Sequence, residues 1–86
     1  MAGNQKYLNT VTARIADSII NYARTHVREQ FHASDLRRFV NTDVGCAPSS
    51  ADRVLRNLRQ MGVVDYTVVN RAQSLYKINA VAKLPQ

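Results

Sequence analysis

The 86-residue chain has a single cysteine, Cys46. No internal disulfide can form, and a four-ligand zinc site needs more than Cys46, His26 and His32. There is no tryptophan, and four tyrosines make no obvious platform for stacking unpaired bases. The three glycines are scattered, so no glycine-rich loop is present to cradle a phosphate. No apolar run approaches the ~20 residues that span a bilayer. The N-terminus lacks the charged-then-apolar pattern of a leader. The acids are dispersed and Cys46 has no evident base beside it, so no catalytic set is visible. The expectation is a soluble intracellular protein that is not an enzyme, with no cofactor, no metal, no membrane partner and no small-molecule ligand.

Negative charge is also scarce. Twelve Lys/Arg stand against six Asp/Glu, for a net charge of +6 and a pI near 10.1. Residues 1–52 hold six Lys/Arg and five acids. Residues 53–86 hold six Lys/Arg against Asp65 alone, so nearly all the excess belongs to the last 34 residues. A one-sided basic surface is the electrostatic footprint of a polyanionic partner. Hydrophobic residues make up 45% of the chain, which suits one small domain whose core must draw on nearly every element.

Residues 1–9 show no periodicity and read as a flexible N-terminus. "TVTARIADSIINYARTHVRE" then reads as a helix. Val11, Ile15, Ile19 and Tyr22 recur at helical spacing, with a second apolar row of Ala16, Ile20, Ala23 and Val27 beside it. This arc is wider than the roughly 100° stripe that one core face requires. Either the helix is sandwiched within its own domain, or Ile20 and Val27 meet a second copy in a homodimer. His26 continues the apolar side as a partly buried, hydrogen-bonded histidine, whereas His32 reads as exposed.

Phe31 in "QFHA" is a core plug. A second helix opens at Ser34 or Ala33, with Ser34 suited to capping and Asp35 to the first turn. Leu36, Phe39 and Val40 give it one buried face, while Arg37 and Arg38 face out. "NTDVG" ends it, and Cys46 is a semi-buried filler.

"APSSADRVLRNLRQMG" is the third helix. Pro48 suits the first helical position and Gly62 the stop. Ala51, Leu55 and Leu58 share the buried face. At about 100° per residue, Ser49, Arg53, Arg56 and Gln60 lie opposite, Ser50 and Asn57 flank them, and Arg59 stands toward the shoulder. Arg56 follows Asp52 by one turn, a spacing that permits a weak surface ion pair. Beyond Gly62 the period turns to alternation. "VVDYTVV" and "SLYKIN" read as two strands around an "NRAQ" turn, with Asn70 able to take a positive φ and Arg71 near the tip. Tyr76 reads as core. "AVAKLPQ" is a strand end or tail.

The order is therefore helix, short strand, helix, turn, helix, hairpin. "FHASDLRRFV" and "APSSADRVLRNLRQMGVVDY…SLYKI" resemble the entry strand, positioning helix, recognition helix and wing of the winged helix-turn-helix family. The likeness spans residues 10–80, with 81–86 as a tail. It rests on a pattern of residue types, and the turn "NTDVGCAP" is longer than the tightest in that family. The resemblance implies an α+β fold, a three-helix winged helix-turn-helix with a C-terminal antiparallel β-hairpin wing. It also implies a double-stranded DNA partner and a role in transcriptional regulation, in the cytoplasm, on a nucleoid or in a nucleus. The third helix would lie in the major groove, and the wing would reach phosphate or minor groove.

The residue chemistry is compatible with this implication. Arg53 and Arg56 present planar forks suited to guanine or phosphate. Ser49 and Ser50 sit at a helix N-terminus whose free N–H groups favour phosphate. Asn57 suits adenine, Arg71 a minor groove or phosphate, and Arg37 and Arg38 the backbone. Three alternatives stand beside this reading: a protein-interaction adaptor, an RNA-binding module, and an accessory DNA-binding factor in replication, recombination or packaging.

Overall fold

The structure, a computed structural model, describes residues 11–82. In chain order these form α1 (Val11–Arg24), β1 (Gln30–His32), α2 (Ala33–Asp43), α3 (Pro48–Gln60), β2 (Val64–Asn70) and β3 (Leu75–Val81). Among the described residues the architecture is α+β: three helices against a three-stranded antiparallel sheet of order β1-β3-β2. The hairpin thus gains a third strand, with Phe31 of β1 opposite Tyr76 of β3. The N-terminal residues expected to be flexible lie outside the described residues. Of the expected tail, Val81 instead closes β3 opposite Val64, and 83–86 lie outside the described residues.

Burial explains α1. Ile15, Ile19, Ile20, Tyr22 and Ala23 are all buried, and the helix meets α2, α3 and β3. Most of the wide apolar arc is therefore used inside this chain's own fold, while Val27 is 38% exposed and Ala16 half-buried. Ile20 is only 5% exposed and is not part of a free surface for a second copy. Val11, expected in the buried row, is exposed.

The helix also ends five residues before the Glu29 expected from its periodicity. Thr25 and His26 N–H bond to the carbonyls of Tyr22 and Ala23 three residues back, tightening the last turn. The Thr25 hydroxyl donates to Tyr22 O at 2.9 Å, competing for a carbonyl that a longer helix would use. His26 stacks on Tyr22 with centroids 4.0 Å apart, and its Nδ1 lies 2.7 Å from Tyr22 O. Val27 then bridges to Ile78, and Arg28 takes φ 69° with its N–H on Ile78 O at 2.7 Å. A packed strand edge has overridden helical periodicity here.

In α2 the buried stripe is Ala33, Leu36 and Val40. Phe39 lies roughly 90° round the helix from the middle of that stripe. It is accordingly 39% exposed, not buried as expected, and sets its edge against Tyr22. Ser34 does not cap the helix. His32 occupies the cap position without a side-chain bond, and the Ala33 N–H is satisfied across the sheet by Ser74 O at 2.9 Å. Pairing of β1 up to His32 leaves Ser34 inside the helix.

In α3, Pro48 stands in the first turn and Ala51, Val54, Leu55 and Leu58 are buried. Gly62 takes φ +78°, a left-handed turn into β2 that favours glycine. Val64 and Tyr66 on β2 and Ile78 on β3 complete the core. Each fully buried Ile or Leu contributes about 1.5–3 kcal/mol, so this single cluster dominates the apolar stabilisation. Register shifts between Asp65 and Tyr66 and between Val68 and Asn70 bend the hairpin. Its turn is not built on a positive φ at Asn70. Asn70 closes β2 and its Oδ1 accepts from Gln73 N–H at 3.1 Å, while the positive φ falls on Ser74.

Candidate nucleic-acid interface

The exposed face of α3 is a ridge between two grooves. Arg53 and Gln60 lie along its crest and are exposed. The two flanks differ in chemistry because successive residues diverge by about 100°.

On one flank, a concave cleft of about 270 Å³ separates α3 from the hairpin. It is lined by Arg56, Arg59, Tyr66, Val68, Arg71 and Tyr76. The helix supplies two arginines and the hairpin turn the third. Pairing of Tyr66 with Ile78 and of Val68 with Tyr76 turns these side chains to the inner face of the sheet. That face is covered by helices near Val64 and left open toward the turn. Among the described residues no carboxylate lines the cleft.

The floor of the cleft is continuous with the core. Tyr22, Phe31, Tyr76 and Tyr66 follow one another with ring centroids 5.6, 5.6 and 5.4 Å apart. At the end of this row the Arg59 guanidinium carbon sits 4.7 Å from the Tyr66 ring centroid, within cation–π range. Tyr76, expected in the core, is half-buried: one side meets the core and the other the cleft.

On the opposite flank a groove of about 280 Å³ runs between α1 and α3. It is lined chiefly by Ala13, Ala16, Val54, Leu58 and Met61, with Thr12 and Asn57 at its rim. Asn57 therefore belongs to a mainly apolar groove and is parted from the arginine cleft by the crest.

The remaining expected contact residues separate in the same way. Ser49 is exposed and Ser50 half-buried in the first turn of α3. Arg38 is exposed and reaches Asp35 at 3.4 Å. Arg37 does not face freely outward. Its Nε donates to Asp52 Oδ1 at 3.0 Å and its terminal nitrogen to Oδ2 at 2.9 Å, a two-pronged pair tying α2 to α3. Asp52 holds its guanidinium above the ordinary arginine pKa. The same pair takes the Asp52 carboxylate that Arg56 could have met one turn away, leaving Arg56 to the cleft. Asp52 would otherwise present a negative charge beside the three cleft arginines.

Residue-by-residue reading missed Arg59 as a member of the site, and Tyr66 as what holds it. The only local signal was the position of Arg59 on the shoulder of α3. Its meaning depends on where the hairpin folds back.

Other expectations concern chemistry away from the cleft. His26 is partly buried and hydrogen-bonded, His32 is exposed, and Cys46 is half-buried against the core. Among the described residues no cluster of three His, Cys, Asp or Glu is placed to hold a metal, and no helix is long and apolar enough to cross a membrane. Comparison with protein-family models, with curated proteins and with solved structures gave no match for this chain.

Proposed function

We propose that the chain is a winged helix-turn-helix module that binds double-stranded DNA, with α3 in the major groove and the β2–β3 hairpin as the wing. The observation that carries this reading is the cleft: Arg56 and Arg59 from the helix and Arg71 from the hairpin turn converge on one side without a lining acid. A helix ridge bearing Arg53 beside such a cleft matches a groove flanked by a phosphate strand. The element order and the third strand pairing with the hairpin fit the same family. Transcriptional regulation through occupancy of DNA is the role we propose for the module.

The test is fluorescence anisotropy with a duplex DNA across a salt series. If Arg53, Arg56, Arg59 and Arg71 each neutralise one phosphate, log K falls against log[salt] with a slope of about −3.6. Arg53→Ala weakens binding. Lys77→Ala, on the outer face of the sheet, leaves it close to the parent. Salt-insensitive binding, or equal competition by duplex RNA, refutes the DNA reading.

A second reading, an adaptor that docks a protein, is favoured by the apolar groove between α1 and α3 and by Met61, which is 71% exposed at its edge. Absence of duplex binding at low salt, together with loss of partner capture in Met61→Asp, would favour it.

A further inference from the structure

We propose that the cleft between α3 and the hairpin is a specific site for a phosphate anion, and that Tyr66 is the positioning residue that presets Arg59 as its principal ligand. The inference rests on the DNA reading for the source of the phosphate, a phosphodiester of one strand, and not for the existence of the site.

Three features of the cleft support it. First, its charge is one-signed and drawn from two elements. Asp52, the nearest acid on α3, is already engaged by Arg37 on the neighbouring helix. Second, Arg59 is not a free surface arginine. Its guanidinium lies over Tyr66, a residue only 7% exposed and locked at the end of the aromatic row. A cation–π contact uses the charge of the guanidinium and leaves N–H donors that match the oxygens of a phosphate. Such a side chain has lost much of its freedom before the ligand arrives, so less is lost on binding. Third, Arg59 lies over the Tyr66 ring and arginines stand on both walls of the cleft, so an anion meets donors on two sides.

The consequence for specificity is geometric. Arg59 is outside the crest of α3, so it reads no base. It holds one strand at a fixed distance from Arg53 and thereby sets the depth and register at which the crest meets the groove.

The experiment follows Arg side-chain Nε–H signals by NMR while the full chain is titrated with either a duplex DNA or inorganic tripolyphosphate. Salt-series affinities are measured on variants alongside. Movement of the Arg59 and Arg71 signals with either probe supports the site. Silence of both signals with both probes overturns it. If duplex binds while the cleft is silent, the DNA reading survives and the cleft inference falls. If tripolyphosphate fills the cleft and duplex does not bind, the reverse holds. Removing two phosphate contacts in Arg59→Ala/Arg71→Ala lowers the salt slope by about 1.8, and an unchanged slope counts against the site. Tyr66→Leu weakens binding several-fold with the slope retained, because Arg59 keeps its charge and loses its rest. Tyr66→Phe restores parental affinity. Equal affinities for the two Tyr66 variants would remove Tyr66 from the proposal.

Discussion

The pair between Arg37 and Asp52 offers a quantitative test of how α3 is held. Residues 44–47 join α2 to α3, and a turn of that length does not by itself fix the angle between them. Two restraints cross it: packing of Leu36 and Val40 with Ala51 and Leu55 in one core cluster, and the two-pronged ion pair. The paired side chains are 37% and 36% exposed, so solvent screens much of the attraction. Exposed pairs couple by about 0.2–1 kcal/mol, and a two-pronged geometry belongs at the upper end, so a coupling of about 1 kcal/mol is expected. The measurement is a double-mutant cycle of Arg37→Ala and Asp52→Ala by urea denaturation. In a domain of this size 1 kcal/mol corresponds to a shift of about 4–8 °C in Tm. The coupling should shrink in high salt. Asp52→Asn should lose the coupling as fully as Asp52→Ala, since the charge and not the shape carries it. A coupling below about 0.3 kcal/mol, within the error of additivity, would refute the brace. Asp52→Asn has a functional corollary as well. It frees the Arg37 guanidinium and removes the one acid of α3, so duplex affinity should rise and the salt slope steepen by up to about 0.9.

Two further outcomes follow from the core of the fold. Ser18 is 1% exposed and its hydroxyl finds no partner among the described residues. Ser18→Ala should stabilise the chain by about 0.5–1.5 kcal/mol, by removing an unpaired buried oxygen and raising helix propensity, and a lowered Tm would contradict this. The Tyr22 hydroxyl is held above its ordinary pKa by burial first, then by the charges of Asp35 and Glu29. Its neutral form is thus favoured in the fold, so the associated stability is complete below the unfolded value and is lost as pH rises past about 10. Tyr22→Phe should flatten that alkaline decline in urea melts taken at increasing pH. An identical decline in both proteins would place its cause elsewhere.

Elements whose limits are set locally could be read in advance. Pro48 and Gly62 bracket α3 because one needs no N–H and the other takes a positive φ. Its Ala51, Leu55 and Leu58 face is buried as its spacing requires, and the alternation beyond Gly62 is a hairpin. Limits set by distant partners could not be read in this way. The end of α1 depends on Ile78, which draws Val27 and Arg28 onto the sheet. The start of α2 depends on Ser74, whose carbonyl takes the Ala33 N–H in place of a serine cap.

The same division runs through the candidate site. Charge scarcity of one sign, its concentration after residue 52, and the crest of α3 are properties of composition and of a helix's 3.6-residue period. The sequence alone determined them. Tertiary structure decided which arginines share one cleft. Arg37 meets an aspartate fifteen positions away and is drawn aside, Asn57 turns to a different groove, and Arg59 joins Arg71 because the hairpin folds back over Tyr66. Periodicity assigns a side chain to a face of its own element. What that face meets is set by packing between elements, and packing is a property of the whole chain.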